Sequence, residues 1–165
     1  ITFPVNTTEA IQSLKAALFG EKLEYTFPEH ALNRIGNMQG EIVGGNLSIL
    51  YSNLGTKTIL DTNKKILLLE DLDEYLYHID RMMMAMKRAG KLQNLAGLVV
   101  GGLSDMKDNT IPFGKTAEEI IAEHVAEFDY PVCFNFPCGH ISDNRAVFMG
   151  KQAKVEVGDH SIFVQ

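Results

Sequence analysis

The stretch KKILLLED, residues 64–71, constrains the fold of this chain more than any other. Side chains along a strand alternate between its two faces, so four apolar residues in succession, Ile66 to Leu69, require cover on both sides of a sheet. Such a strand is central and parallel to its neighbours, and the path back from its carboxyl end calls for a helix. EYLYHIDRMMMAMKRAGK (74–91) supplies it, with Leu76, Ile79, Met82, Met83 and Met86 on one side and Gly90 at the stop. LAGLVVGG (95–102) is then the next strand and completes a β-α-β unit. After a polar loop, the helix TAEEIIAEHVAEF (116–128), capped by Thr116, and the strand PVCFNF (131–136) form a second crossover.

The flanks have a different pattern. TTEAIQSLKAALFG predicts a helix over 8–19, with Thr7 or Thr8 as cap, Ile11, Leu14 and Leu18 on one face and Gly20 as the stop. LEYTF (23–27) alternates, ALNRIG (31–36) and GEIVGG (40–45) read as short extended runs broken by glycine, and NLSILYSNLG (46–55) reads as a short helix. RAVFMG (145–150), AKVEV (153–157) and SIFVQ (161–165), separated by Gly-Lys and Gly-Asp turns, predict an antiparallel meander. The expected fold class is therefore α/β, with parallel β-α-β units joined to an antiparallel C-terminal meander in a single domain spanning 1–165.

Composition removes several function classes. Fifteen Lys and Arg against 21 Asp and Glu give a net charge of −6, and the basic residues are scattered, so the footprint of a nucleic-acid binder is missing. There is no apolar run long enough to span a membrane and no signal-peptide pattern, so no membrane partner is expected. Cys133 and Cys138 are too few for a disulfide framework and lack a second pair for a zinc site, which points to a reducing compartment. The first residue is Ile1 rather than Met, which leads to the expectation that something upstream has been removed.

In open α/β sheets ligands sit beyond the carboxyl ends of the strands, and two such ends carry polar groups. One is Glu70-Asp71; the other is PCGH, ending in His140. A carboxylate that accepts an imidazole Nδ1–H leaves Nε2 free to take a proton, which is the orienter and base half of a hydrolase triad. The alternative is that Glu70 caps the following helix and His140 fills a turn. Asp71, Asp73, His78 and Asp80 invite a metal reading, but the calcium loop needs a central glycine, absent here, and acids in a helix's first turn already complement its dipole. No metal and no cofactor is expected. Gly40, Gly44 and Gly45 precede Asn46, and either present backbone N–H groups and the Asn46 amide to an anionic or carbonyl ligand or serve close packing.

A nucleophile is harder to find. Of Ser13, Ser48, Ser52, Ser104, Ser142 and Ser161, only Ser104 follows a strand in a glycine-rich context, GGLSD, and about ten residues then separate it from the next helix. A nucleophile elbow needs strand, sharp turn and helix in immediate succession. Cys133 lies within an apolar strand, and Cys138 has only His140 beside it.

GEIVGGNLSILYSNLGT, KKILLLEDLDEYLYHIDRMMMAMKRAGKLQNLAGLVVGG and YPVCFNFPCGHISDN follow one another in an order and spacing that resembles the C-terminal half of the LD-carboxypeptidase family. These serine peptidases include muramoyltetrapeptide carboxypeptidase and the microcin self-immunity peptidases. The likeness runs from about Gly36 to the C-terminus. It implies a two-domain enzyme: an N-terminal domain with a nucleophilic serine in a Gly-x-Ser-Asp turn, and a C-terminal domain of swivelling β/β/α type. Residues 1–20 would then be a linker helix from the missing N-terminal domain. The family's triad glutamate falls on Glu70 and its histidine on His140, while Asn46 matches a position on the substrate side of the cleft.

Cys138 and Lys57 depart from the family's usual aromatic or apolar residue and Pro, without removing a catalytic group. GGLSD lies between the Glu and His blocks, against the family order of Ser, Glu, His, and is treated as a coincidence. The implied substrate is murein tetrapeptide, losing its terminal D-alanine in the cytoplasm. The implied partners are that peptide, the N-terminal domain of the same protein and, as a further candidate, a second copy in a homodimer; alone the chain is expected to be inactive. Two alternatives stand beside this reading: a microcin-type peptidase acting on a peptidyl adenylate, and a phosphohistidine-type swivelling domain whose histidine carries a phosphoryl group.

Overall fold

The structure, a computed structural model, describes residues 5–165, so residues 1–4 of the expected linker segment 1–20 lie outside the described residues. In chain order the elements are α1 (Thr8–Leu18), β1 (Glu24–Pro28), β2 (Gly36–Asn46), α2 (Leu47–Ser52), β3 (Ile66–Leu72), α3 (Leu76–Arg88), β4 (Gly97–Ser104), α4 (Ala117–His124), β5 (Val132–Cys133), β6 (Gln152–Val157) and β7 (His160–Val164). Among the described residues the strands form one seven-stranded sheet in the order β1-β7-β6-β2-β3-β4-β5. The half from β2 to β5 is parallel and the half from β1 to β2 antiparallel. This is the α/β fold with parallel units and an antiparallel part that the sequence predicts.

The apolar run of β3 is covered on both faces. Leu67 and Leu69 pack with Ile79, Met82, Met83 and Met86 of α3 and with Ile120 and Ile121 of α4. Ile66 and Leu68 point the other way, into a second cluster with Ile42, Val155, Phe136 and Phe163. Each of these leucines and isoleucines contributes roughly 1.5–3 kcal/mol by leaving water, so a polar residue at any of the four would uncover one face of the central strand. α4 starts with a reciprocal capping box, in which the Thr116 hydroxyl accepts the Glu119 N–H and the Glu119 carboxylate accepts the Thr116 N–H.

Four details differ from expectation. The run 31–36 is no strand, since only an isolated bridge from Arg34 to Val132 stands before Gly36, and the run 40–45 is the later part of β2, one 11-residue strand whose first part pairs antiparallel with β6 and whose last part pairs parallel with β3. Gly44 does not interrupt it but enables it, because its backbone sits at φ 125° and a Cβ there would lie 2.0 Å from the Leu68 carbonyl oxygen. The strand over 131–136 is reduced to Val132–Cys133, since Asn135 turns the backbone to φ 60° and the Phe134 N–H is taken by the Asn33 side chain. RAVFMG is not a strand. Its amides are satisfied elsewhere: Arg145 N–H by the Pro137 carbonyl, Ala146 N–H by the Ser13 hydroxyl and Phe148 N–H by the Gln165 side chain, so the meander comprises β6 and β7 alone.

The fourth difference concerns α1. Its buried residues are Ala10 and Ser13, whereas Ile11 and Leu18 are exposed. Small side chains on the inner face let the helix approach the loop after His140. The Thr7 N–H donates to the Ser142 carbonyl, the Thr7 hydroxyl to the Asp143 carboxylate, and Ser13 accepts from Ala146.

Candidate active site

Glu70 and Asp71 are adjacent on β3 and therefore point to opposite faces. Asp71 turns toward α2, accepting from the Asn46 amide at 2.8 Å and from the Ser48 N–H at 2.9 Å. Glu70 turns to the other face and meets His140. The His140 Nδ1 lies 2.7 Å from Glu70 Oε2 although 70 residues separate them. Because a carboxylate oxygen only accepts, Nδ1 is the donor in this contact, and in the neutral ring Nε2 is the nitrogen left with a lone pair. The Glu70 side chain is 8% exposed and that of His140 50%.

Local backbone geometry makes this contact reachable. The ladder between β3 and β4 slips by one residue between Leu69 and Asp71, and the extra residue falls on β4 at Gly101-Gly102. There the Gly102 N–H donates to the Cys138 carbonyl at 2.8 Å, which fastens the PCGH turn over the strand end. Gly139 adopts φ 109°, and a Cβ on it would lie 2.8 Å from both Glu70 Cβ and Oε2. Only glycine lets the turn come this close to the carboxylate. The turn is braced twice more: the Asn144 side chain accepts the Gly139 N–H at 3.0 Å, and the Ser104 hydroxyl donates to the His140 carbonyl at 2.8 Å.

The pair opens into a cleft of about 870 Å³ whose walls include Gly44, Gly45, Leu68, Ile141 and Arg145, together with Ile11 and Leu14 of α1. Asn46, expected on the substrate side of the cleft, makes three contacts within the chain. Its Oδ1 caps α2 by accepting from Ile49 N–H and also accepts from the Ser48 hydroxyl, and its amide donates to Asp71. One amide N–H then remains for anything else. The residues considered for a metal disperse to separate partners: Asp73 to Lys107, His78 to Glu74, Asp80 to His124.

Among the described residues no hydroxyl or thiol is hydrogen-bonded to His140 Nε2. Ser104 spends its hydroxyl on the His140 carbonyl, not on the ring. Burial, reinforced by the neighbouring Glu70 charge, pushes the Cys138 thiol up to about 11, and burial does the same to Cys133, so neither is a thiolate near neutrality. Sequence reasoning missed the bracing roles of Ser104 and Asn144 and the pairing of Asp143 with Arg145 of the cleft wall. The signals were there as residues but not as contacts, since Ser104 meets a carbonyl 36 positions away.

Fold and site together place the chain among α/β domains that present a carboxylate-held imidazole in an open cleft. Residues 39–155 match the LD-carboxypeptidase C-terminal domain, and the chain belongs to that family. It is 33% identical over 153 residues, 88% of its length and 47% of the relative's, to a Bacillus subtilis protein named "Probable murein peptide carboxypeptidase". Its fold superimposes on the crystal structure of muramoyltetrapeptide carboxypeptidase from Oxalobacter formigenes with a TM-score of 0.85 at 22% identity, covering 96% of this chain and 54% of that one. The microcin C7 self immunity protein MccF, in an inactive mutant apo state, shares the fold with a TM-score of 0.77 at 18% identity, over 94% of this chain and 54% of that one. The chain spans about half the length of the curated relatives it matches. Among the described residues no helix is long and apolar enough to cross a membrane.

Proposed function

We propose that this chain is the C-terminal half of a serine LD-carboxypeptidase that releases the terminal D-alanine of murein tetrapeptide in the cytoplasm. Residues 1–165 form one domain in this reading, and residues 1–20 are the connection to an N-terminal domain that carries the nucleophilic serine. The observation that carries the proposal is the 2.7 Å contact between a buried Glu70 and a half-exposed His140. With Nδ1–H held by Glu70, His140 Nε2 takes the serine proton as the hydroxyl attacks the carbonyl of the L,D-peptide bond, then returns it to the leaving amine. Glu70 stabilises the imidazolium in between. Asn46, through its remaining amide N–H, is proposed to contact the substrate. A phosphohistidine carrier has no use for a buried carboxylate on the same ring, which favours the hydrolase over that alternative.

The test is D-alanine release from tetrapeptide by the protein with both halves and by the 165-residue chain alone. Release by the former and none by the latter is expected. Release by the chain alone would overturn the division of the triad, and phosphate incorporated at His140 would turn the assignment to the carrier class.

A further inference from the structure

A carboxypeptidase differs from an endopeptidase in that its substrate ends in a carboxylate one residue beyond the scissile bond. That charge has to enter a cleft walled on this side by Ile11, Leu14, Val147 and Met149, where it loses water and needs a charge-assisted partner. Among the described residues lining the cleft, Arg145 is the one Lys or Arg side chain.

Arg145 is held as a ready-made fork. Its Nε lies 3.0 Å from Asp143 Oδ1 and its Nη2 2.8 Å from Oδ2, while its guanidinium sits 5.5 Å from the centre of the Tyr25 ring. Asp143 is fixed in turn by the Thr7 hydroxyl at the start of α1. The Arg145 N–H donates to the Pro137 carbonyl at 2.8 Å, so the loop closes and returns Arg145 to the foot of the turn that carries His140. The Asp143 pairing engages Nε and one N–H of Nη2, and Nη1 donates to no protein group among the described residues. Such an arginine is already ordered, so little rotamer entropy is lost when it receives a planar, two-oxygen anion.

We propose that Arg145 is a specificity-determining residue that receives the substrate's terminal carboxylate in the cleft that His140 lines. The proposal rests on the LD-carboxypeptidase reading and adds to it the group that distinguishes a free chain end.

The experiment uses the complete protein and compares kcat/KM for a tetrapeptide ending in free D-alanine with that for the same peptide ending in D-alaninamide. Wild type is expected to prefer the acid. Arg145→Ala should lower kcat/KM for the acid by roughly 30-fold or more, the loss typical when one partner of a desolvated charge pair is truncated, and abolish the preference. Arg145→Lys, which keeps a cation and most of the stem, should retain part of the preference. If Arg145→Ala and Arg145→Lys lose acid and amide cleavage equally, Arg145 only supports the loop and the proposal fails. An intact acid preference in Arg145→Ala also overturns it, as does a loss confined to peptides whose third residue carries its own carboxylate. A wild type that releases no D-alanine takes down the carboxypeptidase reading itself, and the proposal with it.

Discussion

Three histidines among the described residues touch a carboxylate, and two of these pairs, His140 with Glu70 and His124 with Asp80, are built inside out with respect to one another. At the cleft the carboxylate is buried and the imidazole half open, 8% against 50% exposed for Glu70 and His140. Between α3 and α4 the order reverses: the His124 side chain is 8% exposed, its Nε2 lies 2.8 Å from Asp80 Oδ1, and Asp80 is 46% exposed. The nitrogen used differs as well. His140 gives Nδ1 to its partner and keeps the outward Nε2, whereas His124 spends Nε2 on Asp80. A contact of this kind is therefore not a site by itself. Proton transfer needs an imidazole with one nitrogen facing open space and a carboxylate too confined to let go, which is the cleft pair; the other pair ties two helices together.

The strongest way to break that distinction is to remove each ring in turn from the complete protein. His140→Ala should lower D-alanine release by about 10⁴-fold, the scale of losing a base that acts as a unit with its nucleophile, with little change in unfolding. His124→Ala should leave release at the wild-type level and lower stability by roughly 1–3 kcal/mol, because a buried, hydrogen-bonded ring is lost from the α3–α4 seam. Steady-state rates and a urea titration of both variants separate the cases. Equal rates for the two would erase the difference in role.

A smaller effect comes from Gly139, which has no counterpart at the helix pair. Alanine there must hold φ near 109° and place its Cβ 2.8 Å from Glu70, so either the turn or the carboxylate shifts. The expected cost is about 1–3 kcal/mol of stability for the backbone conformation. Activity should fall by roughly 100-fold, the typical effect of an ångström-scale misplacement of a catalytic group. A Gly139→Ala protein that is destabilised yet fully active would show that close approach of the turn is not what orients His140.

The same contrast explains what could be read from the chain before its structure. Ile66 to Leu69 announced a strand covered on both faces because burial leaves a local mark in residue type. Glu70 and His140 stood out as polar groups at the ends of such runs. The antiparallel half was less legible: Gly40 and Gly44 looked like breaks in β2, and their role depends on how close β3 and β6 run. RAVFMG alternates well enough for a strand, yet Ser13 and Gln165 side chains take its amides. In α1 the large apolar residues mark the exposed face and Ala10 and Ser13 the buried one, because contact distance to the 142–146 loop rather than hydrophobic area decides which side faces inward. Contacts between distant segments leave no periodicity.

Asp143 offers the finest test, since its burial lies between the extremes of Glu70 and Asp80, with a side chain 32% exposed. Burial pushes its pKa up, but hydrogen bonds from Arg145 and Thr7, together with the Arg145 charge, outweigh this and hold the carboxyl below its usual value. A carboxyl depressed in the folded state binds fewer protons there than in the unfolded chain, so its stabilising contribution is present above the unfolded value of about 3.9 and is lost as pH falls through the folded one. Titrating stability between about pH 6 and about pH 3 should therefore show a steeper decline for wild type than for Asp143→Asn. The difference should be at most about 1 kcal/mol, because a carboxylate one-third open to solvent is screened. Parallel declines would mean that the Arg145 fork is held by packing over Tyr25 and not by charge, placing Asp143 with the structural pair at His124 rather than with the cleft.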